Sequence, residues 1–211
     1  MSPPRRRADA AQNRGRIIEA ARAVIANTDE LKLNAIAKQA GVGQGTLYRH
    51  FPTREDLLAE VYRQEVQELV ATAPALLAEY EPLDALARWF DRVADYSRLK
   101  RGVFAAVEVG VWQDLSAHSH GPIGDAVTTL LDAGKAAGTV RADVDARDVI
   151  ILISYLARLD EPEWDARARH LLDIVLDGLR AQPGRPETPR VRPRPAGPAR
   201  RTLPAPRSRP R

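Results

Sequence analysis

Residues 33 to 54 read LNAIAKQAGVGQGTLYRHFPTR, and the placing of apolar and glycine positions in this stretch decides how the remainder is read. Ile36, Ala37 and Ala40 share the inner side of a short helix, Gly41 stops it, Val42 turns inward, and a second helix opens near Gln44. Two helices joined by so short a turn form a helix-turn-helix, which cannot make a core alone and has to lean on its neighbours. In the second helix Leu47 and Phe51 face inward, leaving Gln44, Thr46, Tyr48, Arg49 and His50 largely outside. These are groove-reading and phosphate-binding side chains. Gln44 and Arg49 are the base-edge candidates, since glutamine pairs with adenine and arginine with guanine in the major groove. Tyr48 is expected to reach phosphate through its hydroxyl, and Thr46 a phosphate or a thymine methyl. Gly45 allows the helix close to the sugar-phosphate backbone.

Charge is divided in a way that suits this reading. Residues 1 to 54 hold ten Lys/Arg against four acids, a net of +6, and residues 182 to 211 hold nine Arg against Glu187, a net of +8. With +4 overall, the body from 55 to 181 carries −10. A phosphate backbone is drawn to the head and repelled by the body, which orients the encounter before any base is read.

Composition narrows the class further. The chain has 211 residues, 44% of them hydrophobic, enough for one or two small domains with a core and without an apolar run long enough to span a bilayer. Arg5, Arg6 and Arg7 are followed by no apolar segment, so the start does not read as a secretory signal. Zero cysteines remove disulfides, thiolate metal sites and cysteine nucleophiles, and a cytoplasmic location fits. There is no Gly-x-Ser-x-Gly and no glycine-rich phosphate loop after a strand, so no enzyme activity and no cofactor are expected.

The pattern along the chain is helical throughout. Residues 1–9 read as a flexible basic arm. A first helix over about Ala10–Ala26 puts Ile17, Ala21, Val24 and Ile25 on one face as support for the helix-turn-helix. Pro52 ends the second helix of the motif, and Thr53 with Asp56 caps a fourth helix from Arg54 to about Thr72, with Leu57, Leu58, Val61 and Tyr62 pointing back to the head. Pro74 is expected to end or kink it. Pro82 opens a helix to about Leu99, a break follows near Gly102, and a short apolar segment runs from Val103 to Trp112. Residues 113–121 read as polar and irregular, and 122–137 as a helix. Asp145 and Asp148 start a further helix at Val149, and a last one ends near Arg180. Residues 182–211, with nine prolines and nine arginines, read as a disordered Pro/Arg-rich tail.

The segment AGVGQGTLYRHFPTREDLL, within a match from Ile17 to Leu58, resembles the helix-turn-helix signature of the TetR family of transcriptional regulators. That signature joins an Ala-Gly-Val turn, a Gly-Thr/Ser-Leu/Ile-Tyr-x-x-Phe recognition helix and a capped start to the next helix. The resemblance implies an all-α chain: a three-helix DNA-binding domain, 10–54, and a helical effector-binding and dimerisation domain, 55–181. It implies a phosphate contact from Arg54. The family's paired hydroxyl residues are replaced here by NTDELKLN, which places Lys32 close to the phosphate-binding position. It also implies a homodimer on a pseudo-palindromic DNA operator, released as a repressor by a small-molecule effector.

Two further sites follow from residues and resemblance together. Trp89, Tyr96, Phe104, Trp112 and Tyr155 are aromatic at helical spacing in the larger domain, where the family holds an effector cavity. The helix containing Ile150 and Ile153 is apolar on more than one face, and with Leu171, Ile174 and Val175 of the last helix it corresponds to the family's dimer contact. Two other readings remain open at this point. One is an architectural DNA-binding protein without an effector; the other is a metal-dependent sensor or enzyme using His118 and His120.

Overall fold

The computed structural model describes residues 3–27, 32–159 and 164–182. Eight α-helices follow in order among them: α1 Pro3–Asn27, α2 Leu33–Gln39, α3 Gln44–His50, α4 Arg54–Glu79, α5 Pro82–Ala106, α6 Val109–Ala136, α7 Ala146–Ser154 and α8 Trp164–Leu179. A 3-10 turn, Tyr155–Arg158, extends α7. The expected all-α architecture is what forms. The sole β-type pairing among the described residues is an isolated bridge between Val140 and Arg180, which pins the loop after α6 to the end of α8.

Helices α1, α2 and α3 form the head on a core of Ile17, Ile18, Ala21, Ile36, Ala37, Leu47 and Phe51, all nearly inaccessible to solvent. Helix α4 packs on α1 at its start and most extensively on α5 and α6 further along, so one rod belongs to both halves. Its start is set by a capping box: the Asp56 amide donates to Thr53 Oγ1 at 3.0 Å, and the Thr53 amide to Asp56 Oδ2 at 3.2 Å. Head and body meet at Gly102 and around Arg22, among other contacts. At Gly102 a Cβ atom would stand 2.5 Å from Ile25 Cγ2 and 3.3 Å from the Ile25 carbonyl, so glycine is what lets α5 approach the end of α1. Beside it, Arg22 of α1 donates two hydrogen bonds to Glu68 of α4, at 2.9 and 2.8 Å, and its Nε lies 3.3 Å from the buried Glu65.

Several expectations need correction. Helix α1 begins at Pro3, so the part of the proposed flexible arm from Pro3 onward continues the first helix. Pro74 lies inside α4, which runs on to Glu79. An interior proline costs roughly 3 kcal/mol; Ala73 is buried and Leu76 and Leu77 pack on the core, so tertiary burial of the last turns offsets that loss. The break expected near Gly102 is a helix crossing inside a continuous α5. Residues 113–121 are helical rather than irregular, because Ser119 is buried and bonded while the polar neighbours His118 and His120 remain on the outside of α6. The Pro/Arg-rich segment from 183 onward and the NTDE-Leu stretch 27–31, apart from Asn27, lie outside the described residues. No helix among the described residues is long and apolar enough to cross a membrane.

Candidate functional site

The turn between α2 and α3 is a closed helix end. Gly41 adopts φ 65°, a left-handed value that a side chain would strain. Its amide donates to the Lys38 carbonyl at 3.2 Å, and the Val42 amide donates to the Ala37 carbonyl at 3.0 Å. This pair of bonds satisfies two carbonyls at the end of α2 and tucks Val42 against the core. The Gly43 carbonyl then receives the amides of Thr46, at 2.9 Å, and Leu47, at 3.1 Å, which starts α3. Leu47 and Phe51, four residues apart, hold α3 to the head; the Arg14 guanidinium covers the Phe51 ring at 4.5 Å while pairing with Glu60 of α4 at 3.2 Å.

Because those two side chains point in, the opposite face of α3 is presented outward. Gln44, Gly45, Tyr48 and Arg49 are exposed, with Tyr48 at 46%, and Thr46 and His50 are half-buried at its edges. Arg49 is not extended: its Nε donates to the Gly45 carbonyl at 3.0 Å and a terminal nitrogen donates to Thr46 Oγ1 at 3.0 Å. Reading a base edge requires Arg49 to leave these bonds, whereas Gln44 stands clear of them. Accepting from Arg49 leaves the Thr46 hydroxyl hydrogen available for a phosphate oxygen. Lys32 caps α2 through its carbonyl, which receives the amides of Ala35 and Ile36, and its side chain is exposed. Arg54 stands half-buried at the first position of α4, its Nε without a hydrogen-bond partner.

Behind the head, α4, α5, α6 and α7 line a cavity of about 580 Å³, a figure that includes open solvent. Trp89, Val93, Ile123, Ile150 and Ile153 form its apolar wall; Tyr96, Ser97, Lys100, His120 and Ser154 supply polar atoms. Trp89 Nε1 donates to the Leu69 carbonyl at 3.0 Å, which fixes that indole. A second cleft, of about 790 Å³ including open solvent, lies between α4 and α6 along Val66, Val70, Leu115 and His118. Between the two runs a buried hydroxyl chain, with Tyr62 Oη 2.9 Å from Tyr96 Oη and 2.9 Å from Ser119 Oγ. Burial pushes the Tyr96 phenol well above its ordinary range, so it remains a protonated donor.

The five aromatic residues expected in one cavity are not gathered there. Trp89 and Tyr96 line it. Trp112 packs edge-on against Tyr62, at 5.4 Å between centroids, and against Phe104, at 5.3 Å; Phe104 itself is largely exposed. Tyr155 faces the opposite side of α7, in a groove with Leu171, Ile174 and Val175. On the α7–α8 surface, Ile153, Leu171, Ile174 and Val175 line an outward groove. Ile150 lines the cavity, Ile153 borders both the cavity and the outward groove, and Ile151, Leu152, Tyr155 and Ile174 form the outward apolar face, each more than half exposed. Lys100, Ser97 and the Tyr62–Ser119 contact were not legible beforehand: Tyr62, expected to face the head, instead sits among Tyr96, Trp112 and Ser119. His118 and His120 border different cavities, as i,i+2 positions on a helix do, and no group of three potential metal ligands gathers among the described residues.

A helix-turn-helix head on a separate helical body defines a DNA-binding transcriptional regulator. Residues 17–61 match the family model described as bacterial regulatory proteins, tetR family, and residues 81–181 match one described as the C-terminal domain of SbtR-like transcriptional regulators. The solved structure of a TetR transcriptional regulator from Streptomyces coelicolor is 39% identical, with a TM-score of 0.65 over 80% of this chain and 99% of that one. A TetR transcription regulatory protein from Mycobacterium vanbaalenii is 34% identical, with a TM-score of 0.66 over 82% of this chain and 98% of that one. Curated HTH-type transcriptional regulators of Staphylococcus aureus are 34% identical over 76 residues, and the chain spans about two fifths (41%) of their length. The chain belongs to the TetR family of transcriptional regulators.

Proposed function

We propose that the protein binds a pseudo-palindromic operator as a homodimer, acts as a repressor in the cytoplasm, and releases DNA when a small molecule enters the cavity behind the head. The observation that carries this is the continuity of α4. Arg54 opens it beside the reading helix, and Leu69, fifteen residues on, lies in the cavity wall, about 23 Å away along the axis. An occupant that prefers one placement of α4 therefore acts on the head through a rigid element. The outward apolar face of α7 and α8 is the surface on which two copies meet, setting the distance between two α3 helices. Each misplaced base contact costs about 1–3 kcal/mol, so a small change of spacing is enough to release DNA.

Tyr48 and Thr46 of α3, Lys32 at the cap of α2 and Arg54 at the start of α4 contact phosphate, with His50 at the edge and Gly45 allowing close approach. Gln44 reads a base, and Arg49 joins it once it leaves Gly45 and Thr46. The test is a mobility-shift titration at fixed salt on fragments selected from random DNA. Tyr48→Phe weakens binding to every sequence, and Gln44→Ala relaxes preference at one position per half-site. Unchanged affinity and preference in both variants refutes the assignment of α3 as the reading helix.

A further inference from the structure

The polar end of the cavity carries charge of one sign. Lys100 lies on its wall, half-buried, with its ammonium 5.9 Å from the Tyr96 ring centroid and 5.6 Å from that of Trp112. Among the described residues no carboxylate pairs with it, and no acidic side chain lines the cavity; His120 and the hydroxyls of Tyr96, Ser97 and Ser154 complete the polar surface. Two aromatic faces attract an ammonium but do not replace its lost hydration. Burial accordingly draws the Lys100 amine below its ordinary range. An ammonium without a carboxylate partner beside the apolar wall is complementary to an anion with an apolar body.

We propose that the effector is an amphipathic organic acid: a single carboxylate received by Lys100 Nζ, and a hydrocarbon or aryl body held by Trp89, Val93, Ile123, Ile150 and Ile153. The proposal rests on the cavity being the effector site. It assigns the chemical class, for the following reason. A carboxylate pairs with the Lys100 ammonium by a charge-assisted hydrogen bond, whereas an alcohol offers no opposite charge and an amine repels it. Ile150 and Ile153 belong to α7, whose other face is the outward apolar surface, so the occupant touches α4 and α7 together.

The experiment uses the full-length protein with octanoate, decanoate and 4-phenylbutyrate, set against the matching alcohols and amines. Binding is followed by calorimetry and by quenching of indole fluorescence, since Trp89 is in the wall. At least one acid is expected to bind tenfold or more tightly than its alcohol. Lys100→Met is expected to abolish that preference while binding the alcohol as before, and Lys100→Arg to retain it. Acid and alcohol binding equally, or no acid binding at all, overturns the proposal, and this comparison stands on the wild-type protein should Lys100→Met fail to fold. Operator release is measured beside it. A neutral ligand that binds and releases DNA when acids do not sinks the acid assignment alone; acids that bind with no change in operator affinity sink the effector-release reading instead.

Discussion

Removing Arg22 tests whether the head is held to the body by charge as well as by shape. Its guanidinium makes two short bonds to Glu68 and approaches Glu65, whose side chain is almost wholly buried. With Arg22→Met, the nearest cation left to Glu65 is Arg92, at 4.0 Å. Stranding a buried partner costs about 3–5 kcal/mol, and exposure of Glu68 together with the remaining Arg92 reduces the expected loss here to about 2–3 kcal/mol. The pH dependence adds a second, independent readout. Desolvation raises the Glu65 carboxyl above its ordinary value, against the pull of Arg22. A raised acid binds its proton more tightly when folded, so its charge penalises the fold at neutral pH, and the penalty is relieved as pH falls through the raised value. Glu68 has the opposite sign: the bond from Arg22 lowers it, so its contribution is present above the ordinary carboxylate range and disappears as pH falls through the depressed value. Without Arg22, Glu65 rises further and Glu68 loses its stabilisation. Urea unfolding at one fixed protein concentration, run near pH 5 and near pH 7.5, should therefore show the larger loss at the higher pH. A loss below about 0.5 kcal/mol at both, as for an ordinary surface ion pair, or an equal loss at both, refutes the reasoning.

Two further substitutions probe contacts that the fold alone brings together. Gly102→Ala gains about 1 kcal/mol of helix propensity but drives a methyl into Ile25. Overpacking costs about 1–3 kcal/mol, and the carbonyl of Ile25 cannot swing aside, so a net loss near 1 kcal/mol is expected in chemical denaturation; a gain contradicts the crossing described here. Ile174→Glu places a charge on the outward α7–α8 face, where 54% of the native side chain is exposed. Light scattering should show the mass falling to that of one subunit, with thermal stability of the subunit fold retained; an unchanged dimer mass moves the subunit contact elsewhere.

The helix-turn-helix was readable because its signals are local. Gly41 has to supply a positive φ, Leu47 and Phe51 have to face the same way four residues apart, and Thr53 with Asp56 closes a cap within one turn. Each depends on neighbours in the chain, so residue order alone determined the outward face of α3 and the start of α4. Long-range packing decided the rest. Pro74 and Gly102 carry breaking signals that are overruled by partners such as Ile25, far away in sequence. Aromatic spacing could place Trp89, Tyr96, Phe104, Trp112 and Tyr155 on helices, but which faced a common space depended on how α5, α6 and α7 cross. For the same reason an ordinary lysine, Lys100, became a half-buried cation with aromatic neighbours and, among the described residues, no carboxylate partner: its environment is made by helices that meet only in the folded chain.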